Sequence, residues 1–388
     1  MSKKFLTRLA AGGVALALAT ALGGCASGGD VAESPNASGE CSGEPAAGVD
    51  YAKVEAIRAP YLATDKTLPV DQPLPERPAE GLRIAYLNLG SPVAGIFWDL
   101  LQPIAEKLGA KAENVQTGSD AQSINTALNS VVESKPDIVI ALGVDPIFYI
   151  DQLDQMKAGG ITFAASSIAN SEDFGLGEVL AGKAASYESG RVLAASALAL
   201  TCGQGTDFAF YSIPELGVSQ TQAEAAQETM AELCPDCTLR VVDIPVATMS
   251  TSGTDTVLSD LQAHPDTDAF ATFADELQVG LPDKLELAGL PPIPGVGQSS
   301  TPPNVQQIAE GRQAEGLAVD FNMLLWLAVD QALRLDAGVP VDNSAVDWST
   351  FNASYSSFLT EENAGEYLNG YVAQPGFEDQ FAKLWGID

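Results

Sequence analysis

One histidine in 388 residues, His264, leaves little room for a histidine-based catalytic constellation. The sequence also lacks a Gly-x-x-x-x-Gly-Lys-Ser/Thr phosphate loop, and Gly295-Val296-Gly297 has neither the third glycine nor the helix start of a dinucleotide site. Cations are scarce: 19 Lys and Arg stand against 51 Asp and Glu, a formal charge of −32. Such a surface is repelled by phosphate backbones, so no nucleic acid partner is expected. Acidity of this kind otherwise solvates an extracytoplasmic surface and says nothing of a ligand. Past residue 24 no apolar run is long enough for a spanning helix, which needs about 20 residues. No nucleophile-base pair stands out, so no enzyme activity, catalytic residue, cofactor or metal is expected.

What is present begins at the amino terminus. Lys3, Lys4 and Arg8 precede an uncharged run from Leu9 to Gly24, the pattern of a secretory signal over 1–24. The run ends in Leu22-Gly23-Gly24-Cys25, which resembles a bacterial lipobox and implies a thiol that accepts lipid. Attached acyl chains hold a protein to a membrane at about 0.8 kcal/mol per buried CH₂. The expected location is therefore extracytoplasmic, anchored to the cell membrane through Cys25. Residues 25–50 are rich in Gly, Ser, Ala, Glu and Pro with almost nothing large and apolar and predict a flexible tether, and the Pro-punctuated stretch 51–81 predicts an extended lead-in. With Cys25 lipidated, Cys41, Cys202, Cys234 and Cys237 allow three pairings. A disulfide from Cys202 to Cys234 or Cys237 is favoured, because two predicted helices end there. Cys234-Pro235-Asp236-Cys237 follows a helix, whereas a thioredoxin-like redox motif opens one.

From Leu82 short apolar runs alternate with helical periodicity, which predicts parallel strands joined by crossover helices. Strands are read at 83–87, 137–142 and 161–164, then in a second cycle at 207–211, 239–244 and 268–272. Two successive sheets imply two doubly wound α/β lobes, expected over 82–166 with 320–347 and over 167–319 with 348–388. In open parallel sheets ligands sit beyond the carboxyl ends of strands. Asn88, Asp145, Asp275 and Asp320 follow strands, and Trp98 lies beside the apolar stripe marked by Phe97, near a helix start. Asp145 and Asp275 also suit helix caps.

The order of these segments resembles the type I periplasmic binding proteins, in the ribose and simple-sugar branch that feeds ABC importers. The likeness runs from about Leu82 to Leu335. It rests on Ser91-Pro92 through Phe97-Trp98 to Leu108-Gly109, on Lys135-Pro136-Asp137-Ile138-Val139-Ile140, on Ala158-Gly159-Gly160-Ile161-Thr162-Phe163, on Ser189-Gly190-Arg191 and on Phe273-Ala274-Asp275-Glu276. The resemblance implies two lobes joined by a three-strand hinge that close on a solute. By position it implies ligand contacts from Asn88, Trp98, Asp145, Gln222, Asp275, Ser299 and Asp320. Gln222 falls near the family's usual cleft arginine, Ala274 replaces its Asn and Ser299 its Asp, while Asp320 stands near its Gln. Without the arginine fork a standard pentose or hexose loses a bidentate partner. A sugar or related polar molecule is the expected ligand, an amine-bearing solute the alternative. The implied partners are this ligand and an ABC permease, with the binding protein a monomer. A lipoprotein receptor signalling to a membrane kinase is the rival role.

Overall fold

The computed structural model describes residue 41 and residues 43–118, 120–341 and 343–388. The signal, Cys25 and the tether up to residue 40 lie outside the described residues. The lead-in expected to be extended over 51–81 begins instead as helix α1 (Tyr51–Leu62), because the Asp50 carboxylate caps it by accepting from Lys53 N–H at 3.1 Å. Val54, Ile57 and Tyr61 form its buried stripe.

The first lobe runs β1 (Arg83–Asn88), α2 (Pro92–Leu108), β2 (Lys111–Gln116), α3 (Ala121–Ser134), β3 (Ile138–Leu142), α4 (Ile150–Ala158) and β4 (Thr162–Ser166). Its sheet is parallel throughout, in the order β2-β1-β3-β4. Period-two alternation splits each strand between two faces. Ile84, Tyr86, Ile138 and Ile140 pack with Leu101 and Ile104 of α2. Ala85, Leu87, Val139 and Ala141 meet Ile124, Leu128, Leu153 and Met156 of α3 and α4.

The second lobe repeats the scheme with α5 (Lys183–Leu200), β5 (Asp207–Ser212), α6 (Gly217–Leu233), β6 (Thr238–Asp243), α7 (Met249–Ala263), β7 (Ala269–Thr272), α8 (Leu281–Ala288), β8 (Gly295–Gly297), α9 (Pro302–Ala309) and β9 (Gly316–Val319). Its parallel order is β6-β5-β7-β8, and Leu317 of β9 bridges Gln298 in parallel just past β8. Phe208 and Phe210 face α5 and α6, while Ala209 and Tyr211 face Val257 and Leu261 of α7. The chain finishes with α10 (Phe321–Asp336), α11 (Trp348–Tyr355), β10 (Ser356–Leu359), antiparallel to β9, and α12 (Phe377–Trp385).

Three segments cross between lobes as a hinge: from β4 to α5, from β9 to α10, and from α10 to α11. Two more run alongside. Helix α1 packs on the second lobe, where Arg58 pairs with the buried Glu315 and lies over Phe358, yet Leu68, Val70 and Leu74 rest on the first-lobe core. The tail returns as well, so that part of 348–388 packs on the first lobe. Trp385 of α12 stacks on Trp326 of α10, ring centroids 4.9 Å apart, inside the first-lobe core. An indole brought from the chain end covers the large apolar face of α10 better than solvent could.

The disulfides correct another expectation. They join Cys41 to Cys202 and Cys234 to Cys237. The Pro-Asp pair makes a turn in which Cys237 N–H reaches Cys234 O at 3.0 Å, so these two thiols meet each other. Cys41 reaches Cys202 because the chain before α1 docks on the second lobe: Ala46 N–H donates to Gly203 O and Asp50 N–H to Leu233 O, both at 2.9 Å. Residues 43–50 thus lie on the body, although the sequence reads them as tether. Among the described residues no helix is long and apolar enough to cross a membrane.

Candidate functional site

Both sheets turn their strand carboxyl ends toward the crossings. In the first lobe β4 leads into one and every strand is parallel to it; in the second, β9 runs parallel beside β8 and leads into another. The loops after β1, β3, β5, β7 and β8 therefore gather at one interlobe region.

Asn88 ends β1 almost fully buried. Its Oδ1 accepts from Gly90 N–H at 2.8 Å and shapes the turn into α2, leaving the amide nitrogen as the end a solute could meet. Trp98, nearly two turns into α2, is half-buried and stacks on Tyr86 at 6.3 Å. Tyr86 is itself fixed by donating to Ala94 O at 3.0 Å. Asp145, after β3, acts as a cap: Oδ1 accepts from Ile147 N–H at 2.9 Å. Asn170, in the first crossing, donates to both Asp145 oxygens at 3.2 and 3.1 Å. The capping role is therefore present, and Asp145 also ties a first-lobe loop to the hinge.

In the second lobe Gln222 of α6 is 3% exposed. Its Nε2 donates to Gln298 Oε1 at 2.7 Å, and its own Oε1 is buried without a hydrogen-bond partner. A buried amide oxygen left unpaired costs about 1–3 kcal/mol, so it stands ready for an incoming donor. Ser299 follows Gln298 in the left-handed region, φ 65°, with its N–H on Leu317 O at 2.8 Å. Gln222, Gln298 and Ser299 form one group at the carboxyl ends of β8 and β9. Gln298 escapes a reading of the sequence because Gly295-Val296-Gly297 does not announce a strand; once it is a strand, the strand-end rule points to the next residue. Asn170 lies in irregular chain, where no pattern marks it.

Asp275 and Asp320 lie deeper than the other expected contacts. Asp275 is 0% exposed and belongs to the polar interior behind β8. Its Oδ1 accepts from Gln278 Nε2 and Gln313 Nε2, both at 2.8 Å, and its N–H holds Gln298 O at 2.7 Å. Two glycines let backbone approach it: a Cβ on Gly297 would fall 2.5 Å from Asp275 Oδ1, and one on Gly316 would fall 2.8 Å from Oδ2. Burial pushes this carboxyl up to about 7, against weaker pulls from side-chain hydrogen bonds. Asp320, 2% exposed, is a hinge pin. Its Oδ1 caps α10 through Met323 N–H at 3.0 Å, and its Oδ2 accepts from Ala373 N–H at 2.8 Å. Burial raises its pKa as well, outweighing the backbone donors. Both oxygens are thus engaged in structure.

The remaining candidates are Asn88, Trp98, Asp145, Gln222 and Ser299, joined by Asn170 and Gln298. They carry amide donors and acceptors, one carboxylate and one indole, and none of them bonds a Lys or Arg. Among the described residues no cluster of His, Cys, Asp or Glu is placed to hold a metal ion.

Two hinged α/β lobes whose strand ends present polar side chains to the crossings define a two-lobed solute-binding architecture. Residues 89–338 match the periplasmic binding protein domain, and the chain belongs to that family. The family is one of periplasmic solute-binding proteins. Among solved structures, the fold is shared with an ABC transporter periplasmic solute-binding protein from Actinobacillus succinogenes 130z with bound D-allose. That pair has TM-score 0.59 and 16% identity, over 74% of this chain and all of the other. A sugar-binding protein of a sugar ABC transporter from Bacillus halodurans gives 0.60 at 17% identity, over 74% and 100%. A protein from Mycobacterium smegmatis in complex with β-D-fucofuranose gives 0.58 at 15%, over 79% and 98%. No curated protein matches the sequence.

Proposed function

We propose that this protein is the substrate-binding lipoprotein of an ABC importer, anchored by lipidated Cys25, that captures a sugar or related polyol between its lobes and delivers it to a membrane permease. It binds and does not turn over its solute. The observation that carries the reading is the Gln222–Gln298 pair, with the buried, unpartnered Gln222 Oε1. On this reading the first lobe supplies Asn88 and the Asp145–Asn170 pair from its own strand ends. A hydroxyl is both donor and acceptor, and this mixture of neutral amides and a carboxylate supplies complements to both without a guanidinium. Similar folds hold D-allose and fucofuranose, which agrees with that chemistry. An amine-bearing solute is the second reading, favoured by Asp145, whose carboxylate bonds only neutral donors.

A thermal-shift screen over sugars, polyols, nucleosides and polyamines tests this, since a ligand at 100 times its Kd stabilises by about 2.7 kcal/mol. The expected result is a rise of several degrees with a sugar or polyol, abolished in Gln222→Leu. A response confined to polyamines would overturn the sugar assignment. For the anchor, Cys25→Ser should move the protein from the membrane fraction to the soluble one; retention in the membrane would contradict it.

A further inference from the structure

At the outer end of the second lobe a depression of about 590 Å³ opens between α8, the loop before β8 and the loop before β9. It lies at the amino ends of those strands, opposite the carboxyl ends that face the crossings, so it is separate from the interlobe region. Its volume falls in the range of small-molecule sites. The floor is apolar and buried, made by Leu281, Leu285 and Ile293. Two buried polar groups line it as well, Gln278 and Gln313, 2% and 5% exposed, both held in place by donating to Asp275 Oδ1. Glu286 and Glu310 stand exposed at the mouth. Arg312 also lines it, but its guanidinium is engaged by Asp283, so neither glutamate is neutralised by a described Lys or Arg.

We propose that this depression is a second binding site, for an organic cation with a compact apolar body. The hydrocarbon would cover Leu281, Leu285 and Ile293, removing apolar surface from water at about 25 cal/mol per Å². Its ammonium would stay at the wet mouth between Glu286 and Glu310, where charge selects the ligand without a large desolvation cost. Every wall belongs to the second lobe, so occupation needs no lobe closure and is independent of what the interlobe site holds.

The test is calorimetric titration of the full chain with 1-adamantylamine and with its uncharged counterpart 1-adamantanol, at low salt. The amine should bind about tenfold more tightly, the sum expected of two exposed charge pairs. The double variant Glu286→Lys/Glu310→Lys, whose substitutions are on the surface, should keep the unliganded melting temperature and lose that preference. Three results would each overturn the proposal: no heat from the amine at millimolar concentration, equal affinity for amine and alcohol, or amine binding unchanged in the double variant, which would place it elsewhere, the interlobe site included.

Discussion

Asp275 has no cation to compensate its burial. Its two amide donors share Oδ1, while the Ser300 hydroxyl is the neighbour of the buried Oδ2. Burial penalises the charged form and pushes the folded pKa to about 7 from 3.8, and the protonated carboxyl can also donate where a carboxylate cannot. The folded state therefore holds this proton more tightly than the unfolded chain. The group's contribution to stability is fully present below about 4, declines as pH rises toward about 7, and then levels off. The shift corresponds to at most about 4 kcal/mol. Asp275→Asn keeps the Oδ1 acceptor and supplies a permanent donor. It should raise the melting temperature at pH 8 and flatten the decline between pH 4 and 7; a variant that melts lower at pH 8 with the slope intact would show that the carboxylate is the stable form. Asp145 makes a different case. Because it caps the turn after β3 and anchors Asn170, Asp145→Ala should cost about 1 kcal/mol of stability in the empty protein, besides weakening solute binding more than tenfold. Intact affinity with the same melting loss would reduce it to a cap. From sequence alone cap and contact could not be separated at Asp145, since an aspartate after a strand satisfies both descriptions. Asp275 and Asp320 were legible as strand-end carboxylates but not as buried ones, because burial depends on Gln313, Gly316 and Ala373, which come from distant segments.

Among the elements, strands with apolar alternation or runs, such as β1, β3, β5 and β7, can be read directly from residues. The missed ones have physical reasons. Strand β2, Lys-Ala-Glu-Asn-Val-Gln, is an edge strand with charged and polar side chains in solvent. Strand β8 is three residues, two of them glycine, because Thr272, Phe270 and Asp275 leave no space for a Cβ. Helix α1 hides behind Pro60 and the proline-rich stretch after it. The docked amino-terminal segment also sets the disulfide energetics. The Cys41–Cys202 link spans 161 residues and Cys234–Cys237 only 3, so chain entropy assigns them about 5 and about 2 kcal/mol. Cys41→Ser/Cys202→Ser should lower the melting temperature clearly more than Cys234→Ser/Cys237→Ser; the reverse order would mean that the 43–50 segment stays docked without its covalent link. At α12, Trp385 is 1% exposed, stacks on Trp326 and donates Nε1–H to Asp330 at 2.9 Å. Trp385→Ala should therefore cost about 3–5 kcal/mol, measured by denaturant unfolding, and a loss under 1 kcal/mol would detach the tail from the first-lobe core.

At the scale of the molecule, two α/β cycles and a gap at their strand ends follow from the alternation of runs and helices. The return of the tail to the first lobe does not, since the Trp326–Trp385 contact joins residues far apart in sequence with no periodic signal between them. The two added crossings, 63–81 and 360–376, bind both lobes behind the hinge, and Ala373 fastens one of them to Asp320. The proposed closure would then be rotation about five anchored segments, a hinge motion of packed bodies and not a free swing. Small-angle X-ray scattering, recorded on the empty protein and again with the solute that the thermal screen selects at saturation, tests the central claim. A smaller radius of gyration with bound solute is expected, as the lobes shut on it. An unchanged radius of gyration, with calorimetry showing the solute bound, would contradict an interlobe site that closes.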